Sequence, residues 1–156
     1  MNFHRFRNLK KKTNKFNYKL NENFDPLSNN KVTVFSINFP ITSTCQPTKL
    51  CIKTCYGLGG PITWPNSIKK QLKNLYFCKN NSEKFASLII QSCKKKLTKD
   101  KDFFLRWNGV GDLFNESVEA LKKVNKELPE LPIWCVTRIE SEAIKLFDIH
   151  NIWIHF

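Results

Sequence analysis

From Lys31 onward the chain alternates between short apolar runs and longer segments whose apolar positions recur every three or four residues. Lys31 to Phe39 (KVTVFSINF) sets Val32, Val34, Ile37 and Phe39 at strand-like positions and stops at Pro40, which predicts a first strand. Residues 66–80 predict a helix with Ile68, Leu72, Leu75 and Tyr76 on one face and Lys69, Lys70 and Lys73 off it. A second helix, capped by Asn81 or Ser82, turns Phe85, Leu88, Ile89, Cys93 and Leu97 inward. Phe103 to Trp107 (FFLRW) is apolar almost throughout, as a buried parallel strand is. Asn115 caps a third helix with Val118, Leu121, Val124 and Leu128 inward, and Pro129 and Pro132 bracket its end. Pro132 to Thr137 (PIWCVT) is a third strand, Ser141 caps a short helix through Phe147, and Asn151 to Phe156 is a fourth strand.

Strands separated by helices require right-handed crossovers and therefore a parallel sheet. The expected fold is α/β, with alternating strand–helix units forming a partial, half TIM-barrel-like sheet and a basic N-terminal arm. The arm spans residues 1–30, and residues 31–156 form one α/β domain. A chain that closes on an apolar strand leaves several readings open: an open half-barrel, a truncated product, a degenerate remnant, or a protomer whose partner covers that strand.

Composition narrows the class. With 41% hydrophobic and 13% aromatic residues, the chain has the means to build a core and is not a disordered segment. Lys and Arg outnumber Asp and Glu 26 to 13, a net charge of +13 that suits nucleic acid or another anionic partner. Lys, Asn, Ile and Phe are also the residues that AT-rich coding DNA favours, so part of the excess has a mutational origin. Residues 1–30 are rich in Asn and Lys, with Phe3, Phe6, Phe16 and Phe24 and no acid before Glu22. They read as a solvated tail or as an arm that contacts phosphates and stacks on bases. No run of about 18 apolar residues is present, which argues against a membrane span. The basic N-terminus lacks the apolar stretch of a secretory signal. A cytoplasmic, reducing setting follows, in which clustered thiols serve as ligands rather than disulfides.

The candidate chemistry begins at Cys45–Tyr56 (CQPTKLCIKTCY), three cysteines spaced C-x5-C-x3-C in a polar loop after the first strand. Gly57, Gly59, Gly60 and Pro61 follow. Parallel α/β folds collect ligands at the C-terminal ends of their strands. Those ends carry Cys45, Cys51 and Cys55, then Asn108, Gly111 and Asp112, then Thr137 and Arg138. Three thiolates without an evident fourth ligand suit a [4Fe–4S] cluster with one iron left open to substrate or S-adenosylmethionine. Structural zinc, the alternative, takes four ligands. Cys78, Cys93, Cys135, His150 and His155 are the remaining donors, and Cys78 and Cys93 lie on apolar helix faces where thiols pack as core. Asp112 and Arg138 are read as a carboxylate and a clamp for anionic groups, or as a pair with each other.

These residues, in this order, resemble the gene product 88 family of phage and plasmid proteins. The resemblance rests on Cys45, Cys51, Cys55 and Tyr56, on Arg106, Gly111 and Asp112, and on Thr137 and Arg138, and it spans roughly residues 31–147. That family in turn is similar to radical S-adenosylmethionine proteins, whose usual spacing is C-x3-C-x2-C. The resemblance implies that Cys45, Cys51 and Cys55 ligate iron. It implies a cofactor-binding set of Tyr56, Asn108, Gly111, Asp112, Thr137 and Arg138, with Gly111 and Asp112 near the methionyl group and Arg138 near its carboxylate or the substrate. The alternative function is a non-catalytic basic module that binds nucleic acid, with structural zinc or no metal. Neither reading specifies an oligomeric state.

Overall fold

The computed structural model describes residues 2–14, 24–29 and 35–156. Among these, seven α-helical segments accompany a five-stranded, mostly parallel sheet. In chain order they are α1 (Asn2–Asn14), β1 (Ser28–Asn29), β2 (Phe35–Ile37), α2 (Ile41–Thr44), α3 (Lys49–Thr54), α4 (Pro65–Asn80), α5 (Ser82–Leu97), β3 (Leu105–Trp107), α6 (Asn115–Glu127), β4 (Ile133–Val136), α7 (Glu140–Ala143) and β5 (Ile152–His155). Short 3-10 turns cover Tyr56–Leu58, Gly60–Thr63 and Ile144–Leu146. No helix among the described residues is long and apolar enough to cross a membrane.

The strands lie in the order β1-β2-β3-β4-β5. β2 to β5 are parallel neighbours, and β1 pairs antiparallel with β2 through Ser28↔Ser36. Register sorts the side chains. Ile37, Leu105, Trp107, Ile133 and Cys135 share one face and pack with Phe77, Phe85, Ile89, Cys93, Val118, Leu121 and Val124 of α4, α5 and α6 in the main core. The Trp107 indole donates to Ser117 Oγ at 3.0 Å, which satisfies the buried ring nitrogen. Ser36, Arg106, Trp134 and Trp153 form a row on the opposite face.

The predicted α/β class and the central elements are present, with local differences. The run predicted as the first strand holds β2, Phe35–Ile37, with Asn38 and Phe39 beyond the strand end and residues 31–34 outside the described residues; β1, at Ser28–Asn29, falls in the segment read as an arm. Asn81 caps α5, its side chain accepting from the Lys84 N–H at 2.8 Å. Phe114, not Asn115, occupies the cap position of α6, and Ile139 rather than Ser141 precedes α7. Tyr76, expected inward, is exposed because the face of α4 that meets the core runs through Phe77 and Cys78.

The N-terminal segment read as an arm contains a helix. In α1, Leu9 is buried and packs with Phe6 in a second apolar cluster beside Ile41, Ile52, Leu58, Ile68, Leu72 and Val110. Thr13 Oγ1 and Thr42 Oγ1 are 3.2 Å apart. Residues 15–23 of the proposed arm, including Phe16 and Glu22, lie outside the described residues. The cysteine segment, expected as a loop, likewise holds a helix: α3 starts where Thr48 Oγ1 accepts the Cys51 N–H at 3.1 Å. The second cluster touches Cys45 and Cys55, so α1 supports the thiol segment from behind.

Candidate functional site

Parallel strands in register end at a common rim, and the segments leaving β2, β3 and β4 meet there. The backbone binds them first: Phe39 N–H donates to Val110 O at 3.0 Å and Gly109 N–H to Ile37 O at 3.1 Å. Asn38 Oδ1 accepts the Val110 N–H at 3.0 Å, and Thr44 Oγ1 accepts the Asp112 N–H at 3.1 Å. Gly111 has φ +91°, and a Cβ there would stand 2.8 Å from the Phe39 carbonyl oxygen. Only glycine meets both conditions at once.

Asp112 is the clamp of this rim. Its Oδ1 accepts Thr137 Oγ1 at 2.9 Å and the Arg138 N–H at 2.7 Å, joining the segment after β3 to the one after β4. Thr137 Oγ1 in turn accepts the N–H groups of Leu113 at 3.4 Å and Ile139 at 3.1 Å. Asp112 meets Arg138 through the main chain, and the Arg138 side chain is exposed.

A cleft of about 130 Å3 opens at this rim, lined by Cys45, Cys51, Cys55, Tyr56, Asn108, Gly111, Asp112, Thr137 and Arg138 together with Gln46, Pro47 and neighbouring apolar residues. Every residue singled out in the sequence as a site candidate thus lines one cleft. None of the donors considered as a fourth ligand lines it: Cys78, Cys93 and Cys135 belong to the main core, and His150 and His155 lie elsewhere. No group of three or more His, Cys, Asp or Glu side chains among the described residues is placed to hold a metal ion.

Asn108 is the unusual member. It is only 1% exposed, takes φ 58°, and leaves both Oδ1 and Nδ2 buried without a hydrogen-bond partner. A buried carboxamide with neither end satisfied costs roughly 1–3 kcal/mol per group, which a polar ligand in the cleft would offset. Tyr56 closes the other wall, its hydroxyl donating to Gly109 O and accepting from Arg106 Nη2 at 3.3 Å. Burial raises the Tyr56 hydroxyl and the neighbouring Arg106 guanidinium lowers it, with burial the larger effect.

A family model described as gene product 88 matches residues 3–156. The chain belongs to the gene product 88 family. No curated protein and no solved structure matches it. The match includes α1, so in this member of the family the N-terminal helix falls within the matched region.

The thiols are electrostatically distinct. Burial, then the Asp112 carboxylate, holds Cys45 far above the usual thiol range. Burial also raises Cys55, while the main-chain N–H groups of Gly57 and Leu58 pull it down by stabilising the thiolate. In the core, burial pushes Cys93 and Cys135 up to about 12 from an ordinary 9.0. The native state therefore keeps these protons longer than the unfolded chain does. The stability linked to each thiol is whole below pH 9.0 and is lost as pH rises toward about 12. At about 1.4 kcal/mol per pH unit, Cys93 alone should account for roughly 2–3 kcal/mol of lost stability by about pH 11. Urea unfolding of Cys93→Ala should show an alkaline loss shallower by that amount, and superimposable profiles would contradict it.

Sequence reasoning did not select Asn38, Thr44 or Trp134 as site residues, and it met Arg106 only through the family resemblance. Asn38 and Thr44 flank the Pro40 stop, so taking both sides of each strand end would have found them. Arg106 and Trp134 face away from the core within strands whose apolar character drew attention to the other face.

Proposed function

We propose that this chain is an iron–sulfur protein in which Cys45, Cys51 and Cys55 hold a [4Fe–4S] cluster, with radical S-adenosylmethionine-like chemistry on an unidentified substrate. The observation that carries the reading is the cleft itself: three thiols and the unpartnered Asn108 carboxamide on one rim of a parallel sheet. Among the described residues no three donors converge as a single-ion site would require, which favours a cluster over a single ion as the group these thiols would hold. A single zinc ion gathers its ligands about 2.3 Å from one point. The three thiols instead surround a cleft, and in a four-iron cluster each cysteine takes its own iron. The N–H groups aimed at the Cys55 sulfur would stabilise a ligating thiolate.

Bound there, a reduced cluster with one open iron would supply an electron to a sulfonium cofactor. The chain's own residues do the rest. Asn108 offers a donor and an acceptor to the polar end of the ligand, and Gly111 lets the segment after β3 turn tightly against Phe39 and Thr44. Asp112 and Thr137 fix the rim, Arg138 supplies a cation to a carboxylate, and Tyr56 holds the cysteine segment against Gly109. The consecutive parallel order of β2 to β5 supports the finer fold reading, a sheet wound as half of a (β/α)8 barrel. This chemistry calls for a reducing compartment, which the cytoplasm supplies.

Anaerobic purification or reconstitution tests the reading. Visible charge-transfer absorption with about four irons and four sulfides per chain is the expected result. One zinc and no iron would overturn it in favour of a structural clip, the second reading, in which the net charge of +13 serves a non-catalytic nucleic-acid module.

A further inference from the structure

The face of the sheet turned away from the helices has a composition that packing does not explain. Ser36, Arg106, Trp134 and Trp153 stand side by side across the four parallel strands, with Val136 and His155 as the next neighbours toward the rim. Neighbouring strands are about 4.8 Å apart, so this row is continuous. It contains no acidic residue. The Arg106 guanidinium lies 4.9 Å from the centre of the Trp134 ring, His155 meets the same ring edge-on at 6.3 Å, and Trp153 is 55% exposed. Arg106 Nε is buried without a partner, and its Nη2 reaches Tyr56 at the cleft wall. An exposed tryptophan beside an arginine–tryptophan stack, on a chain of net charge +13, is poorly suited to an acidic or cationic surface and well suited to flat rings joined by anionic links.

We propose that this face binds single-stranded nucleic acid, with bases stacked on Trp153 and on the Arg106–Trp134 pair and phosphates drawn by Arg106 and by the exposed Arg138 at the rim. Sheets that bear aromatic side chains hold unpaired bases in this way, because every base has a π-face and the contact tolerates any sequence. The charge excess provides the attraction to the backbone, and the stack provides the preference for unpaired strands. This binding goes beyond the cluster and shares only Arg138 with the cleft, whereas Arg106, Trp134 and Trp153 lie outside its lining, so either reading can fail while the other stands.

The test is fluorescence anisotropy with a labelled oligothymidylate of about 15 nucleotides, the matching oligouridylate, and a duplex of the same length. Either single strand should bind more tightly than the duplex, with affinity falling steeply as salt rises. Trp153→Ala should weaken single-strand binding about tenfold, with the salt slope unchanged, and Trp153→Phe should recover most of the loss. A second measurement needs no truncation: the oligothymidylate should quench the tryptophan emission of the unaltered protein, and Trp153→Phe should lose the share of that quenching due to Trp153 while keeping the share due to Trp134. Equal affinity for duplex and single strand, or a folded Trp153→Ala that binds as the unaltered protein does, would overturn the proposal. Absence of binding at low salt would overturn it as well.

Discussion

If the unaltered protein takes up the proposed cluster of about four irons per chain under anaerobic reconstitution, Cys51→Ala is expected to lose at least nine-tenths of that iron. A cluster held by three protein thiolates has no spare ligand, and none of the other three cysteines lines the cleft. The fold should survive the change. Cys51 is partly exposed within α3, alanine is the best helix former, and the Thr48 cap accepts from the main chain of residue 51 rather than from its side chain. Stability should therefore move by less than about 1 kcal/mol. Cys93→Ala is the matched opposite: fully buried in the main core, it should cost about 1 kcal/mol and leave iron content unchanged. Iron and sulfide analysis of the two variants decides the matter. Full iron in Cys51→Ala, or its loss in Cys93→Ala, would place the site elsewhere.

Asp112→Ala should be the most damaging single change at the rim for stability. The carboxylate is 5% exposed and accepts two hydrogen bonds on Oδ1, from Thr137 Oγ1 and from the Arg138 main chain. Hydrogen bonds to a charged acceptor contribute about 1.5–3 kcal/mol each, and removal leaves the buried Thr137 hydroxyl and the part-buried Arg138 N–H without this acceptor, so a loss of about 3–5 kcal/mol is expected. Asp112→Asn keeps an acceptor oxygen at the same place and should lose less than half as much. Urea unfolding midpoints measure both. A loss below about 1 kcal/mol for the alanine variant would mean that main-chain bonds alone, Phe39 to Val110 and Gly109 to Ile37, hold the rim together. The same experiment bears on the cleft, because a rim that opens separates Asn108 and Gly111 from Thr137 and Arg138 while leaving the cysteine segment on its own support from α1.

The sequence by itself determined the elements whose signal is local. The three- and four-residue spacing of Ile68, Leu72, Phe85, Ile89, Val118, Leu121 and Val124 marks α4, α5 and α6, because a helix with one buried face must repeat at that interval. The grouping of the candidate residues was legible for a topological reason: residues just beyond the ends of parallel strands share a rim, so chain order alone placed Cys45, Asn108, Asp112 and Thr137 at one cleft. What lies between distant segments needed the tertiary structure. The packing of α1 against the thiol segment was hidden because Phe6 and Leu9 form too short a stripe among lysines and asparagines to stand out. The dangling Asn108 carboxamide and the Asp112 clamp depend on which donors lie near, which spacing does not record. The aromatic and cationic row of Arg106, Trp134 and Trp153 depends on register, and a shift of one residue in any strand would have turned its member into the core.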